Sequence, residues 1–291
     1  MMLHRYPFRF GSAVHGVLAA ALAVALCVPG VLAGTEEPEF TRSKHPAQKV
    51  VDQEFSLDAG GWLRIDVDDM DVYVKKNDGT KSRVQVFVAA SNEEKAVEYF
   101  EERSGFELEQ EKNELLMSSR SPSSFWGHAS RGFRSVRIWA IVSVPARFNA
   151  DISTEDGDLR VDDLDGEMTI RSSDGDIDAR NLRGPSIVIR TSDGDVVATS
   201  LTAEDKLSIS TSDGDIDADR FHAKRISVGT SDGDISIEHM EGDNIDIRSS
   251  DGDIEAGVSG GTLKANCSDG DIHITLLDAM ALDLKSRDGD I

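Results

Sequence analysis

The stretch TSDGDIDA, residues 211–218, decides the fold because the chain repeats it through its second half. Eight copies follow one another at intervals of 18 to 20 residues when each is counted from the first aspartate of its turn: Asp156, Asp174, Asp193, Asp213, Asp232, Asp251, Asp269 and Asp288. A constant period of this length is typical of stacked repeats, in which each unit packs only on its neighbours. Residues 151–291 are therefore predicted to form one repeat array.

Apolar residues occupy fixed positions around each turn. In the copy at Asp213 they are Leu207 and Ile209 before the turn, with Ile216 and Ala218 after it. Alternation of apolar and polar residues predicts a strand with one buried face. Each repeat is thus expected to contain two short strands joined by the Asp-Gly turn. The glycine is expected to supply a positive φ, and the aspartate to cap the turn.

A third apolar position lies eight residues after the first aspartate of a turn. It holds Leu164, Leu182, Leu201, Phe221, Met240 and Leu277, with Ser259 as the exception. It predicts a second corner whose side chain fills the core. The fold class is all-β, and we favour a parallel β-solenoid with coils of about 19 residues. The alternative is an antiparallel meander of Asp-Gly hairpins, which would place Arg171 opposite Asp178 and Arg248 opposite Glu255.

Residues 55–150 are predicted to be an N-terminal, β-rich capping segment. The stretch LRIDVDDMDVYV, residues 63–74, repeats the coil pattern with Met70 in place of glycine. One helix is expected at about 92–103, with Ser91 as its N-cap, because a polar cap precedes an apolar stripe. Repeat arrays need an atypical cap over their first layer, so this segment is expected to close one end of the stack.

Residues 1–33 have the features of a secretory signal peptide. A basic start precedes a short apolar run that ends at Ala33, the expected cleavage site. Pro29 and Gly30 interrupt the run, and it is shorter than the ~20 apolar residues that a membrane anchor needs. Residues 34–54 are expected to be a flexible linker. The protein is therefore predicted to be exported, to the periplasm or the cell surface, with no stable transmembrane segment after cleavage and with Cys267 as its only cysteine.

Acidic residues are concentrated in the repeats. Residues 151–291 contain 34 acidic and 13 basic residues, a net charge of −21. Such a surface argues against a nucleic-acid partner and is compatible with cations, basic partners or simple solubility. Stacked unit charges ~4.8 Å apart repel by roughly 1 kcal/mol even in water, so backbone hydrogen bonds or bound cations must compensate. No cofactor is predicted other than Ca²⁺ in a speculative role, for which the candidate ligands are Asp174, Asp176, Asp193, Asp195, Asp213, Asp215, Asp232 and Asp234.

One segment is basic in a chain that is acidic overall. Residues 118–137 carry four arginines and no acid, with aromatic residues between them. The segment is either a mobile hairpin tip or a contact loop, since aromatic rings beside arginine suit sugars, anionic lipids or an acidic protein face. The candidate contact residues are Phe125, Trp126, Arg131, Phe133 and Arg134.

Nothing in the sequence favours catalysis. Ser259 lies in GVSGG, the pattern of a nucleophile elbow, but no helix is predicted after it. The histidines show no metal-ligand spacing. Some parallel β-helices cleave acidic polysaccharides, yet cleavage of this kind needs two carboxylates in different environments, and near-identical turns do not provide them. We therefore expect a non-enzymatic scaffold.

The tract VPARFNADISTEDGDLRVDDLDGEMTIRSSDGDI, residues 144–177, and the copies after it resemble the bacterial β-strand-repeat family named "putative adhesin", a domain of unknown function. The resemblance covers about residues 55–291. It implies an exported, solenoid-like envelope domain, with surface attachment or stress sensing in some relatives and no established catalytic residues. We expect an envelope protein or a surface glycan as the partner, and we expect the C-terminal coil to contact a partner or further repeats. The Asp-Gly-Asp turns are more acidic than the Ser-Gly-Asp turns usual in the family.

Overall fold

The computed structural model describes residues 41–77, 81–120, 136–278 and 280–291. In these ranges the chain forms strands and one helix, in the order β1 Ala47–Phe55, β2 Trp62–Val67, β3 Asp71–Lys76, β4 Ser82–Ala89, α1 Glu93–Arg103, β5 Glu107–Glu111, β6 Glu114–Ser118, β7 Arg137–Val144, β8 Asn149–Thr154, β9 Leu159–Asp162, β10 Met168–Arg171, β11 Ile177–Arg180, β12 Arg183–Arg190, β13 Val196–Thr199, β14 Leu201–Ser210, β15 Ile216–Gly229, β16 Ile235–Arg248, β17 Ile254–Asn266, β18 Ile272–Leu276 and β19 Ala281–Lys285. The predicted signal peptide lies outside the described residues. No described helix is long and apolar enough to cross a membrane.

The repeats form a parallel β-solenoid, as the third apolar position suggested. Strands before the turns stack in register as wall 1, and strands after the turns stack as wall 2. In wall 1, Ile189 pairs with Ile170 of the preceding coil and Ile209 of the next. The antiparallel meander is therefore wrong. Arg171 binds Asp151 of the neighbouring coil, and Arg248 binds Asp246 of its own strand, instead of the partners that hairpins would provide.

The coils do not stack strictly in chain order. β2 lies between β6 and β8 in wall 1, and β3 lies between β7 and β9 in wall 2. The coil formed by β6 and β7 is thus on the outer side of the degenerate coil formed by β2 and β3. All of these neighbours are parallel, so their apolar columns continue through the inserted coil. The pattern of one coil predicts its faces but does not decide which coil it stacks on.

Antiparallel strands cover the N-terminal end of the stack. β5 pairs with β6 in wall 1, while β4 pairs with β7 and β1 pairs with β4 in wall 2. β1 begins at Ala47, so the expected linker at 34–54 is corrected, because residues 47–54 belong to a sheet. The N-cap of α1 is Asn92 and not Ser91, since the Asn92 side chain accepts a hydrogen bond from Lys95 N. Ala96 and Phe100 of α1 join the core.

The core is one continuous column of apolar side chains between the walls. Ile177, Ile216 and Ile254 are all at most 1% exposed and pair through the stack, which confirms that matching positions share one interior. The third apolar position is buried in the array from Leu164 to Met240. The exception at Ser259 is resolved by a register shift that brings Val258 opposite Met240. Leu277, in the last coil, is 49% exposed.

Candidate functional site

The eight Asp-Gly-Asp turns stack along the corner that joins wall 1 to wall 2. We call this row, from 156–158 to 288–290, the Asp-Gly-Asp ridge. Backbone hydrogen bonds connect successive turns: Ser212 N and Asp213 N both donate to Ser192 O of the preceding coil, at 2.9 and 3.0 Å. The same pair of bonds recurs in the next coil, where Ser231 and Asp232 donate to Ser212 O. The ridge is therefore a continuous part of the hydrogen-bonded stack.

The turn glycines are required by close packing between coils. A Cβ built on Gly214 would lie 2.0 Å from Gly194 O, and at every turn of the ridge the corresponding distance is 2.0 to 2.3 Å. None of these glycines has a positive φ; among the described residues the glycines that do are Gly60, Gly105 and Gly260. The predicted reason for glycine was thus wrong. No side chain fits between two turns that approach this closely.

The second aspartate of each turn forms a ladder along the ridge. Its Oδ1 accepts a hydrogen bond from the backbone N–H of the second aspartate in the next coil; Asp215 Oδ1, for example, accepts from Asp234 N at 2.8 Å. The ladder begins at Asp71, which accepts from Asp158 N at 3.1 Å, and it ends at Asp290 N. Hydrogen bonds to ionised acceptors are stronger than neutral ones, so these bonds offset part of the repulsion between stacked charges.

A small side chain two residues before each turn holds the turn from inside. Thr211 Oγ1 accepts from Gly214 N at 3.2 Å and donates to Gly194 O of the preceding coil at 3.1 Å. Cys267 takes the same place with sulfur, accepting from Gly270 N at 3.1 Å and donating to Gly252 O at 3.3 Å. Cys267 is buried, so the structure assigns it this structural role.

After the turn at Asp156, the first aspartates of the turns are the free acidic groups of the ridge. Asp174, Asp193, Asp213 and Asp232 are exposed, and their carboxylates make no hydrogen bond to the described part of the chain. Within those ranges, no group of three or more His, Cys, Asp or Glu side chains is arranged to hold a metal ion. The speculative Ca²⁺ role of the eight candidate aspartates stays a prediction.

Burial changes the acidity of two aspartates at the N-terminal end of the ridge. It raises the pKa of Asp71, against the opposing effects of the Asp158 N–H and of Arg137. Burial also raises the pKa of Asp156, and a hydrogen bond with Asp69 adds to this effect. These two carboxyl groups are held in conditions that disfavour their ionised forms.

The predicted contact residues Phe125, Trp126, Arg131, Phe133 and Arg134 lie outside the described residues. The described ends of their segment, Ser118 in β6 and Arg137 in β7, belong to wall 1 and wall 2 of the outermost parallel coil. Arg120, the last described residue before this segment, binds Asp66 at 2.9 Å.

A cluster that the sequence did not reveal lies on the outer surface of wall 2. Tyr73 Oη donates to Asp162 Oδ2 at 2.8 Å, and Arg160 binds the same carboxylate at 2.9 Å while its guanidinium lies 5.3 Å from the Tyr73 ring centre. Burial and Asp162 raise the pKa of Tyr73. Phe87 and Trp139 stack beside it, with ring centres 5.5 Å apart. Every polar group of this cluster is paired, which is typical of a structural network.

Comparison with known proteins agrees with the fold. The sequence model of the family described as Toastrack DUF4097 matches residues 62–291. No curated protein matches the chain. A "putative lipid binding protein" from Parabacteroides distasonis is similar in structure, with 15% identity over 83% of this chain and 96% of its own, and a TM-score of 0.54. A "putative adhesin" from Parabacteroides merdae has 12% identity over 83% of this chain and 95% of its own, and a TM-score of 0.50.

Proposed function

The chain belongs to the Toastrack DUF4097 family, and from this premise we propose that it is a non-enzymatic, exported scaffold of the cell envelope that attaches to a partner or a surface. The two similar structures are named as an adhesin and as a lipid-binding protein, and neither name is that of an enzyme. The basic, apolar start of the sequence supports export.

The sameness of the turns is the observation that carries this proposal. From Asp158 to Asp271 each second aspartate accepts the same backbone hydrogen bond, and from Thr154 to Ser286 each inner side chain accepts from the glycine of its turn. Catalysis by carboxylates requires neighbouring groups with different pKa values and different roles. A row of equivalent groups whose hydrogen bonds hold the backbone together is instead suited to stiffness and to repeated contact.

Attachment is assigned to the segment with Phe125, Trp126, Arg131, Phe133 and Arg134. Aromatic and arginine side chains supply most of the binding energy in many protein interfaces. The segment carries no acidic residue, whereas the repeats that follow it in the sequence are strongly acidic. A partner with an acidic face, or an acidic glycan, would therefore be drawn to this segment and repelled by the ridge.

Fractionation of cells that express the full chain tests the proposal. The protein is expected in the envelope fraction, and replacing Trp126 and Arg134 by alanine is expected to reduce this association about tenfold. The matched control is Val197→Ala, which trims an apolar side chain that is 44% exposed on wall 2. Equal association of both variants, or a protein retained in the cytoplasm, would contradict the proposal.

A cation-stabilised acidic module is the second candidate. The free carboxylates of Asp174, Asp193, Asp213 and Asp232 favour it, because one exposed group per coil forms a regular acidic row. Under this alternative, millimolar Ca²⁺ raises the melting temperature well above that in NaCl of equal ionic strength. Equal melting temperatures in the two salts would exclude a specific cation role and leave only screening.

A further inference from the structure

Wall 1 has a basic outer surface in a chain that is acidic overall. From β10 to β19 its outward side chains and their margin include Arg171, Arg190, Lys206, Arg225, Arg248, Lys264 and Lys285, against Glu167, Asp205, Asp246 and Asp283. The Asp-Gly-Asp ridge and the outer surface of wall 2 hold most of the remaining acids. Basic and acidic side chains thus lie on different faces of the solenoid, and the net charge of the chain does not reveal this separation.

A hollow of about 330 Å³ lies within this basic surface. Its rim is a single register column, in which Lys206 pairs with Arg225, Arg225 with Asn244, and Asn244 with Thr262. Ser227 and Asp246 form the opposite side. The volume is at the lower end of the range for small-molecule sites, which is suited to one or two sugar units.

The polar groups around the hollow have unused hydrogen-bonding capacity. Asp246 Oδ1 is buried and has no hydrogen-bond partner, whereas its Oδ2 accepts from Arg248. Lys206 forms no ion pair with the described residues, and Arg225 is bound only through one nitrogen, to Asp205. An unpartnered buried carboxylate oxygen is costly unless a donor reaches it.

These groups define the chemistry of a ligand. Lys206 and Arg225 call for an anion, and the partly exposed Asp246 side chain can accept from a hydroxyl or amide donor on the same molecule. Asn244 and Thr262 can bond further hydroxyls. A sugar acid combines a carboxylate with several hydroxyls on one rigid ring, and a chain of such units can follow the wall, whereas an anionic lipid headgroup supplies a single charged unit.

We propose that this hollow on wall 1 binds a sugar-acid unit of an acidic polysaccharide. The inference rests on the proposed scaffold function and deepens it, since it names the surface component that the scaffold meets. The carboxylate lies against Lys206 and Arg225, and a ring hydroxyl donates to the Asp246 carboxylate. Parallel coils ~4.8 Å apart continue the basic surface on both sides, so further sugar units can follow it.

Calorimetry with the purified full chain and trigalacturonate as the probe tests the site. The double variant Lys206→Ala, Arg225→Ala is expected to weaken binding at least tenfold. Arg190→Ala removes a like charge from the same wall outside the hollow and is expected to change affinity less than twofold. Maltotriose, which has hydroxyls and no carboxylate, is expected to bind at least tenfold more weakly than trigalacturonate.

Asp246→Ala separates a built site from a merely basic wall. Removing an acid strengthens attraction of an anion by charge alone, whereas loss of the hydroxyl bond weakens binding threefold or more, which is the expected result. No binding of trigalacturonate, equal effects of Arg190→Ala and the double variant, or tighter binding by Asp246→Ala overturns the inference. Preference for anionic phospholipid vesicles over trigalacturonate also overturns it. Failure of sugar binding with intact envelope association leaves the scaffold function in place, and the reverse result removes that function alone.

Discussion

At the residue scale, the turn glycines are required for a reason other than the backbone conformation that usually explains glycine in a turn. Asp-Gly usually indicates a turn that needs a positive φ. Here the glycine backbone is ordinary, and what excludes a side chain is the carbonyl oxygen of the previous coil. Repetition of glycine at a constant interval therefore indicates a close approach between the backbones of neighbouring coils.

Gly214→Ala should lower the free energy of unfolding by about 3 kcal/mol or more, because its Cβ would meet Gly194 O at 2.0 Å and neither backbone can move without its neighbours. Gly229→Ala is the matched control, since its Cβ would lie 3.5 Å from the nearest atom, Arg248 O. Both changes restrict the unfolded chain equally, so the control is expected to stay within about 0.5 kcal/mol of the parent. Urea denaturation measures both, and equal losses would contradict the close-approach argument.

At the element scale, the turn is held by three sets of contacts that act between coils. The inner hydroxyl, the backbone of the Ser-Asp pair and the second aspartate each bond to the preceding turn. Cys267 shows that the inner place requires an acceptor of small size and not a hydroxyl as such. The stability of one turn therefore depends on the turn before it.

Asp215→Ala is expected to lower the free energy of unfolding by about 1 kcal/mol, because Asp234 N loses its acceptor. Asp215→Asn keeps an oxygen in that place and removes a stacked charge, so it should change stability by less than half as much. Asp213→Ala, two residues away, alters a carboxylate that accepts no such bond and serves as the control. Thermal unfolding distinguishes the three, and a loss in Asp213→Ala equal to that in Asp215→Ala would exclude the ladder as a source of stability.

At the scale of the whole molecule, repulsion between acidic side chains opposes folding, and packing of the core favours it. The net charge of −23 is borne mostly on a solenoid whose aspartates are stacked. Close packing of one continuous interior and the hydrogen bonds of two walls offset this repulsion. The balance between them depends on pH.

Stability is expected to rise as the pH falls from 7.5 toward 3.8, because the raised pKa values of Asp71 and Asp156 lie above that ordinary value. The pKa values of Asp71 and Asp156 are raised in the folded state, so the fold binds protons more tightly than the unfolded chain does. Their destabilising effect is present above the raised pKa values, decreases as the pH falls through them, and is gone below about 3.8, the ordinary value. Asp52 has the opposite effect, because a hydrogen bond from Arg83 lowers its pKa and its ionised form stabilises the fold. This stabilisation is lost only as the pH falls below 3.8.

Melting temperatures at constant ionic strength measure this dependence. Replacing Asp71 and Asp156 by asparagine should flatten the curve between pH 7.5 and 3.8. Asp213→Asn, in the exposed row of the ridge, serves as the control. A melting temperature that falls steadily over this interval in the parent protein would contradict the assignment.

The sequence by itself determined the all-β class and the faces of the strands, and it favoured the solenoid over the meander. An apolar pattern fixed relative to each turn and repeated at 18 to 20 residues buries all of its columns by stacking like on like, and local alternation specifies which side chains point inward. It also predicted the row of acidic turns. These features follow from a local sequence pattern that the chain repeats.

Only the tertiary structure decided the features that depend on which backbones meet. The insertion of β2 and β3 between later coils, the capping of the N-terminal end by antiparallel strands, and the reason for the turn glycines all arise from contacts between distant parts of the chain. The hollow on wall 1 belongs to the same class, because Lys206 and Asp246 are 40 residues apart and become neighbours only through the stacking register. A pattern within one repeat describes a layer, whereas the contacts between layers depend on how the layers stack.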